Sequence, residues 1–352
     1  MQLLDRYIIR TVASAIVLVL MVVLALDLVF GFIAELEDTR GDYQIPEALL
    51  FMVYTLPRRL YDFLPLAAFM GALVGLGQLA NSSELVVIRA AGVSVGRIVW
   101  SAMKPALAVV VVGLLVGDYV APATERLAQS NKTMARGGDG AAAATGFWHR
   151  EEDVFMRFDT VRPNGELLGV SLFRFADDHW LEEATYAERA SYQGDHWLLH
   201  GATVSRLTRE EVSRETLDEL HWDSGLSPDV LSVLIVRPEH LPISGLYTYA
   251  RYMEGQNLSA SDYWLAFWKK VMQPLGTAAM VLLAISFVFG PLRSVTMGFR
   301  IFVGIIAGLA FKYTQDLLGP MSLVYGFSPA LATLVPILGA GIIGVVLLRR
   351  AG

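Results

Sequence analysis

The residues best able to do chemistry in this chain sit where charge is most expensive. Asp27, Arg58, Arg59, Asp62, Lys269, Lys270, Lys312 and Asp316 fall inside or at the rim of long apolar runs. An ionisable group in such a run reads first as functional. At a helical rise of 1.5 Å per residue, Asp27 lies about 24 Å above Thr11, Lys312 about 18 Å and Asp316 about 24 Å above Arg300. Arg58 and Arg59 lie about 30 Å from the far end of their run, and Lys269 and Lys270 about two turns inside theirs. All therefore gather at one side of a bilayer, where basic groups ask for an anionic counter-group. Each has a plainer alternative. Lys269 and Lys270 snorkel among Trp264, Phe267 and Trp268. Arg58 and Arg59 pair with Asp62, and Lys312 pairs with Asp316 one turn on. Asp27 reads as a helix-packing or pairing residue.

Catalytic constellations are missing. There is no cysteine, which excludes disulfides, thiolate chemistry and cysteine-held metal. The six histidines, His149, His179, His196, His200, His221 and His240, show no metal-ligand spacing on a helix and read as solvated surface groups. No phosphate-binding Gly-x-x-x-x-Gly-Lys-[Ser/Thr] loop occurs, and no nucleophile elbow, His-Glu-x-x-His or dinucleotide fingerprint. The expectation is a chain with no catalysis and no cofactor of its own.

The elements that must hold these charges are membrane spans. Of 352 residues, 54% are hydrophobic and only 18% charged, below the roughly 25% charged usual in soluble domains. Residues 121–262 carry 13 basic and 23 acidic side chains, a net −10, against +4 for the rest, which argues against nucleic-acid binding. Apolar runs predict six transmembrane helices: Thr11–Ala34, Glu47–Ala80, Arg97–Val120, Tyr263–Phe289, Thr296–Leu318 and Ser328–Leu348. The second would reach about 50 Å, beyond a ~30 Å hydrocarbon core, with kinks near Pro57 and Pro65. Short-loop basic residues (Arg6, Arg10, Arg89, Arg97, Lys104, Arg293, Arg300, Arg349, Arg350) put both termini in the cytoplasm. The insert then faces outside, in the periplasm of a double-membrane bacterium.

That insert has β rhythm. Val154–Phe158, Gly169–Phe175, Ala187–Tyr192, Trp197–His200 and Ala202–Leu207 alternate, separated by turn signals such as Pro163-Asn164-Gly165, Asp177-Asp178 and Gln193-Gly194-Asp195. The fold class expected is an α-helical membrane protein with an inserted all-β periplasmic sandwich or jelly roll. Trp148, Trp180, Trp197 and Trp222 are expected in its core, Gly137–Ala144 as a flexible entry, and Leu241–Ser261 as a helical return. The domains run 1–124, 125–262 and 263–352. On the cytoplasmic side Ser82–Ser94 forms a short helix with a serine N-cap, an apolar face and Gly92 as its stop. Its exposed Glu84 suits a docking knob for a separate ATPase; an interfacial helix is the alternative.

Several strings carry a resemblance over essentially the whole chain. They are Leu4-Asp5-Arg6-Tyr7-Ile8, Leu73-Val74-Gly75-Leu76-Gly77, Ser83-Glu84-Leu85-Val86-Val87, Phe289-Gly290-Pro291-Leu292-Arg293-Ser294, Gly319-Pro320 and Leu323-Val324-Tyr325-Gly326. With the β insert, they resemble the LptF/LptG family of lipopolysaccharide-export permease subunits, and its LptG branch in particular. The resemblance implies a homologous LptF-like partner, two LptB-like cytoplasmic ATPases that bind the ATP, and LptC- and LptA-like periplasmic jelly rolls that receive lipopolysaccharide. It implies that Glu84, with Arg89 on the same helix, meets the ATPase, and that Arg58 meets lipid phosphate. Such proteins often carry lysines near the outer end of the first helix. Here those positions read Gly31, Glu37 and Asp38, which leaves Arg40, Arg59 and Lys312 to supply the charge. Two other readings compete: a membrane-anchored assembly scaffold, and a membrane enzyme acting on lipid headgroups, which the missing nucleophile, metal and base oppose.

Overall fold

The computed structural model describes residues 2–37, 43–135, 147–151, 153–162, 165–176, 180–209, 211–228, 231, 238–255, 259–290 and 295–351. Helices α1 (Gln2–Leu36) and α2 (Ile45–Asn81) are followed by the short α3 (Glu84–Ala90). Helix α4 (Val95–Leu115) runs through a π-helical turn, Val116–Val120, into α5 (Ala121–Ala135). Strands β1 (Phe147–Glu151), β2 (Val154–Val161), β3 (Leu167–Phe175), β4 (Leu181–Tyr192), β5 (Trp197–Leu207) and β6 (Val212–Trp222) come next. A 3₁₀ turn at Pro238–His240 leads into α6 (Ile243–Gly255), then α7 (Ser261–Phe289), α8 (Met297–Tyr325) and α9 (Pro329–Ala351). Among the described residues, six helices are long and apolar enough to cross a membrane: α1, α2, α4 with its continuation, α7, α8 and α9. The third is longer than its apolar run predicts, because the helix continues through polar α5 to residue 135.

Helix α2 is the axis of the bundle. Most of its apolar window is buried, whereas α1 and α8 bury little of theirs. Close approach depends on missing side chains. A Cβ on Gly71 would sit 2.4 Å from Ile16 Cα, and one on Gly75 3.0 Å from Val12 Cα, so α1 crosses α2 nearly backbone to backbone. Gly304 and Gly308 let α8 meet Leu73 and Leu66 on another face of α2. The main bundle core, including Val12, Phe69, Leu73, Leu76, Ile285 and Val288, clusters around this axis.

The six described strands form one antiparallel sheet in simple up-and-down order, each paired with its sequence neighbour. The alternation expected from sequence is present, and the strand crossovers of a jelly roll are not found among the described residues. Pairing lapses along one line: between Phe158↔Val170 and Thr160↔Leu168, between Tyr186↔Thr203 and Arg189↔His200, and between His200↔Glu219 and Ala202↔Leu217. Gly169 (φ 61°) and Gly201 (φ 64°) sit on that line, and glycine kinks of this kind curve a sheet over its own core. Phe158, Val170, Ala190, Trp197, Leu199 and Leu226 fill the concavity. Trp197 is fully buried, its Nε1 donating to Leu226 O at 2.7 Å, and Trp222 is buried beside it. Trp148 and Trp180, also expected in the core, are 56% and 45% exposed, because both lie on the other side of the curved sheet or at its end. The Gly137–Ala144 entry lies outside the described residues.

Candidate functional site

Helix α2 begins with a capping box, Glu47 Oε2 accepting from Gln44 N at 3.0 Å, with Pro46 in its first turn. Its charged turn, Arg58 to Asp62, lies between Pro57 and Pro65, where the helix ladder is broken. Pro65 has no N–H to give Tyr61 O; Gln273 Nε2 of α7 reaches that carbonyl at 3.4 Å.

Arg58 Nε donates to Asp62 Oδ2 at 2.8 Å, and its Nη1 donates to the backbone carbonyl of Glu239 in the return segment. Arg59 does not pair with Asp62. It reaches across to α1, donating to Asp27 Oδ2 at 2.5 Å and to Thr55 Oγ1 at 3.2 Å. The pairing role expected of Asp27 is thus realised. A Cβ on Gly31 would meet Arg59 Nη1 at 2.7 Å, so the guanidinium occupies the space beside Gly31. Lys312 pairs with Asp316 at 2.6 Å, and the two side chains remain 67% and 46% exposed on the open face of α8. Arg40 lies outside the described residues.

A second polar cluster, largely missed at the level of sequence, fastens the return from the sheet. Lys270 does not snorkel: it is 7% exposed, and its Nζ donates to Leu241 O at 2.5 Å and Gly117 O at 3.2 Å. Asp118, in the π-helical turn, accepts from Ile243 N at 2.6 Å and so caps α6. A Cβ on Gly117 would lie 2.2 Å from the Tyr61 ring, so this turn packs directly on the charged turn of α2. His240, expected at the surface, lies 3.5 Å from Glu125, which is itself buried. Burial first, and the Arg58 guanidinium second, hold its imidazole below the ordinary histidine value. His149 is buried too, stacked on Tyr252 of α6, and burial lowers its pKa. Nothing in the sequence pattern marks Lys270 apart from Lys269. Asp118, an acid within an otherwise apolar run, is the one visible signal.

At the opposite end, Glu84 opens α3 and accepts from Ser82 Oγ at 2.9 Å, with the Tyr7 hydroxyl also in reach. Ser83, at φ 61°, turns the chain but makes no side-chain cap. Arg89 is half-buried in the last turn of α3. A cavity of about 390 Å³ beside Glu84 is lined by Tyr7, Arg10, Thr11, Gln78 and Ser82. Asp5 of α1 bridges to Arg97 at 2.7 Å and Ser101 at 3.2 Å of α4, and buried Arg300 donates to Gly77 O at 2.8 Å. These bonds tie α1 to α4 and α8 to α2 on the side of α3. Among the described residues no group of histidines and carboxylates could hold a metal ion.

The family model for the lipopolysaccharide export system permease LptF/LptG matches residues 6–350. The chain is 35% identical to lipopolysaccharide export system permease protein LptG of Escherichia coli K12, covering 99% of this chain and 98% of that protein. It is equally identical to LptG of Haemophilus influenzae, covering 95% and 94%. The family model covers nearly the whole chain and the relatives match it end to end: this chain belongs to the LptF/LptG family of lipopolysaccharide export permeases.

Proposed function

We propose that the chain is the LptG-like permease subunit of an ATP-driven transporter in the bacterial inner membrane. It draws lipopolysaccharide from the outer leaflet and passes it through its periplasmic β domain to a bridge of further β domains. The observation that carries this reading is that Arg58, Arg59 and Lys312 lie in the same half of the bundle, while α3 and Glu84 lie at the opposite end. Lipid phosphates are the anionic partners available on the outer side. Both termini are cytoplasmic in this arrangement, and the sheet is periplasmic.

The open faces of α1 and α8 support a subunit pair. Leu18, Met21, Leu26 and Phe30 on α1, and Phe302, Ile305, Leu309 and Leu317 on α8, are all exposed. The Lys312–Asp316 pair lies on the α8 face, where contact with hydrocarbon would be costly. An LptF-like partner facing these helices would enclose a polar cavity for the headgroup. Arg59 supplies, beside Gly31, the charge that α1 lacks. Two LptB-like ATPases bind at Glu84 and its counterpart and supply the ATP chemistry; this chain does none. LptC- and LptA-like proteins receive the lipid.

The test is purification of the native complex. A stoichiometric ATPase that is lost on Glu84→Arg, with ATP-dependent release of lipopolysaccharide from proteoliposomes, supports transport. A complex isolated intact without any ATPase would leave a scaffold instead.

A further inference from the structure

The return segment from the sheet is held by three charged side chains from three different spans. Glu239 O accepts from Arg58 of α2, Leu241 O from Lys270 of α7, and Ile243 N donates to Asp118 of the π-helical turn. The grips fall on every second residue. Two of the three helices are broken at this level, α2 at Pro57 and Pro65 and α7 at Pro274, and the third carries the π-helical turn. Proline breaks and π turns mark places where a membrane helix can change shape, and π turns are frequent at functional sites.

Beyond this joint the contacts continue to the sheet. Helix α6 starts on Asp118 and stacks Tyr252 on His149 of β1. On its other side, Tyr247 meets Trp264 and Phe267 of α7. Glu151, at the end of β1, accepts from Gly225 N at 2.7 Å and Ser224 Oγ at 2.5 Å, next to Tyr252. A displacement of residues 239–243 therefore has a packed route to β1.

Arg58 belongs to both the lipid-facing turn and this joint. Its Nε is committed to Asp62 and its Nη1 to Glu239 O. A phosphate gripped through two oxygens uses one of these nitrogens on either fork of the guanidinium. Asp62 is a charged partner; the Glu239 carbonyl is neutral and is the weaker claim. We infer that Arg58 is a lipid-operated latch: it holds Glu239 O when the site is empty, and transfers that grip to a lipid phosphate, loosening residues 239–243 and so signalling occupancy to the sheet. Lys270 and Asp118 are positioning residues that keep the segment on the bundle while Arg58 changes partner. This inference rests on the reading that Arg58 meets lipid phosphate, and goes beyond it in assigning the coupling to the β domain.

The experiment is hydrogen exchange on the purified complex, with a photoreactive residue at position 58 tested in parallel. Lipopolysaccharide is expected to speed exchange at residues 239–246 several-fold, with α1 and α9 unchanged; inorganic phosphate at equal phosphate concentration gives less. Arg58→Gln should show the loosened segment without lipid and no further response. Lys270→Met should speed exchange in the same segment by about ten- to a hundredfold, as expected when a charged group's hydrogen bond is lost. Lys270→Arg and Asp118→Asn, which keep a donor and an acceptor, should leave the wild-type pattern and control for folding. Crosslinking at position 58 with no change in exchange overturns the latch and leaves the lipid site standing. No crosslinking at position 58 in an intact complex overturns both. An equal response to inorganic phosphate overturns lipid as the operator.

Discussion

Asp27 and Arg59 are the charges whose pairing most directly shapes the half of the bundle away from α3. Their side chains are 27% and 22% exposed and meet at 2.5 Å. At an effective dielectric of about 20, unit charges some 4 Å apart attract by ~4 kcal/mol before solvation and entropy are subtracted. Fully exposed pairs are worth ~0.2–1 kcal/mol, whereas breaking a buried pair costs ~3–5 kcal/mol. A pair about one-quarter exposed falls between, so a coupling energy of ~1–2 kcal/mol is expected, or roughly 5- to 30-fold in an equilibrium. The assay is a double-mutant cycle of Asp27→Asn and Arg59→Gln, read as unfolding of the detergent-solubilised protein. Asp27→Asn alone leaves Arg59 with the Thr55 hydroxyl and the Met52 sulfur. Removing Arg59 as well should relieve much of that penalty. A relocation follows from the same geometry: Gly31→Lys in the Arg59→Ala background puts a cation back beside α1 and should restore lipid crosslinking that Arg59→Ala reduces. Additive single effects, within about 0.5 kcal/mol, would refute the pairing and with it the claim that Arg59 stands in for a cation on α1.

Three other outcomes follow. Gly117→Ala should destabilise the protein by ~1–3 kcal/mol, because its Cβ meets the Tyr61 ring, and Tyr61→Leu should relieve part of this in thermal unfolding. Trp197→Phe should cost ~1–3 kcal/mol by stranding the buried Leu226 carbonyl; an unchanged unfolding midpoint would contradict the packing of the sheet. Burial lowers the His149 pKa, so the folded state favours the neutral ring. That stability is fully present above the unfolded histidine value of about 6.5 and is lost as pH falls below it. His149→Phe should flatten the loss of stability between about pH 7 and pH 5.

The spans were legible because membrane helices announce themselves by length and apolarity. The β rhythm was legible because one face of each strand is buried. Pairing among charges was only partly so. Lys312–Asp316 is local, one turn apart, and could be read directly. Arg59–Asp27 joins residues 32 positions apart and depends on Gly31 leaving room, which no spacing reveals. Lys270 looked like Lys269, yet the two point in different directions: Lys269 is exposed beside Gly319, and Lys270 is buried on two carbonyls. The curvature of the sheet depends on Gly169 and Gly201 at positive φ, and it decides which tryptophans are covered.

The proposed pairing of lipid phosphate with the cations at the charged-turn end of the bundle is tested most directly at position 312. A photoreactive residue there, in the assembled complex with its ATPase, should trap lipopolysaccharide, and the yield should fall sharply when the lipid A phosphates are removed. Equal yields with phosphorylated and dephosphorylated lipid, or none with either, would contradict the account.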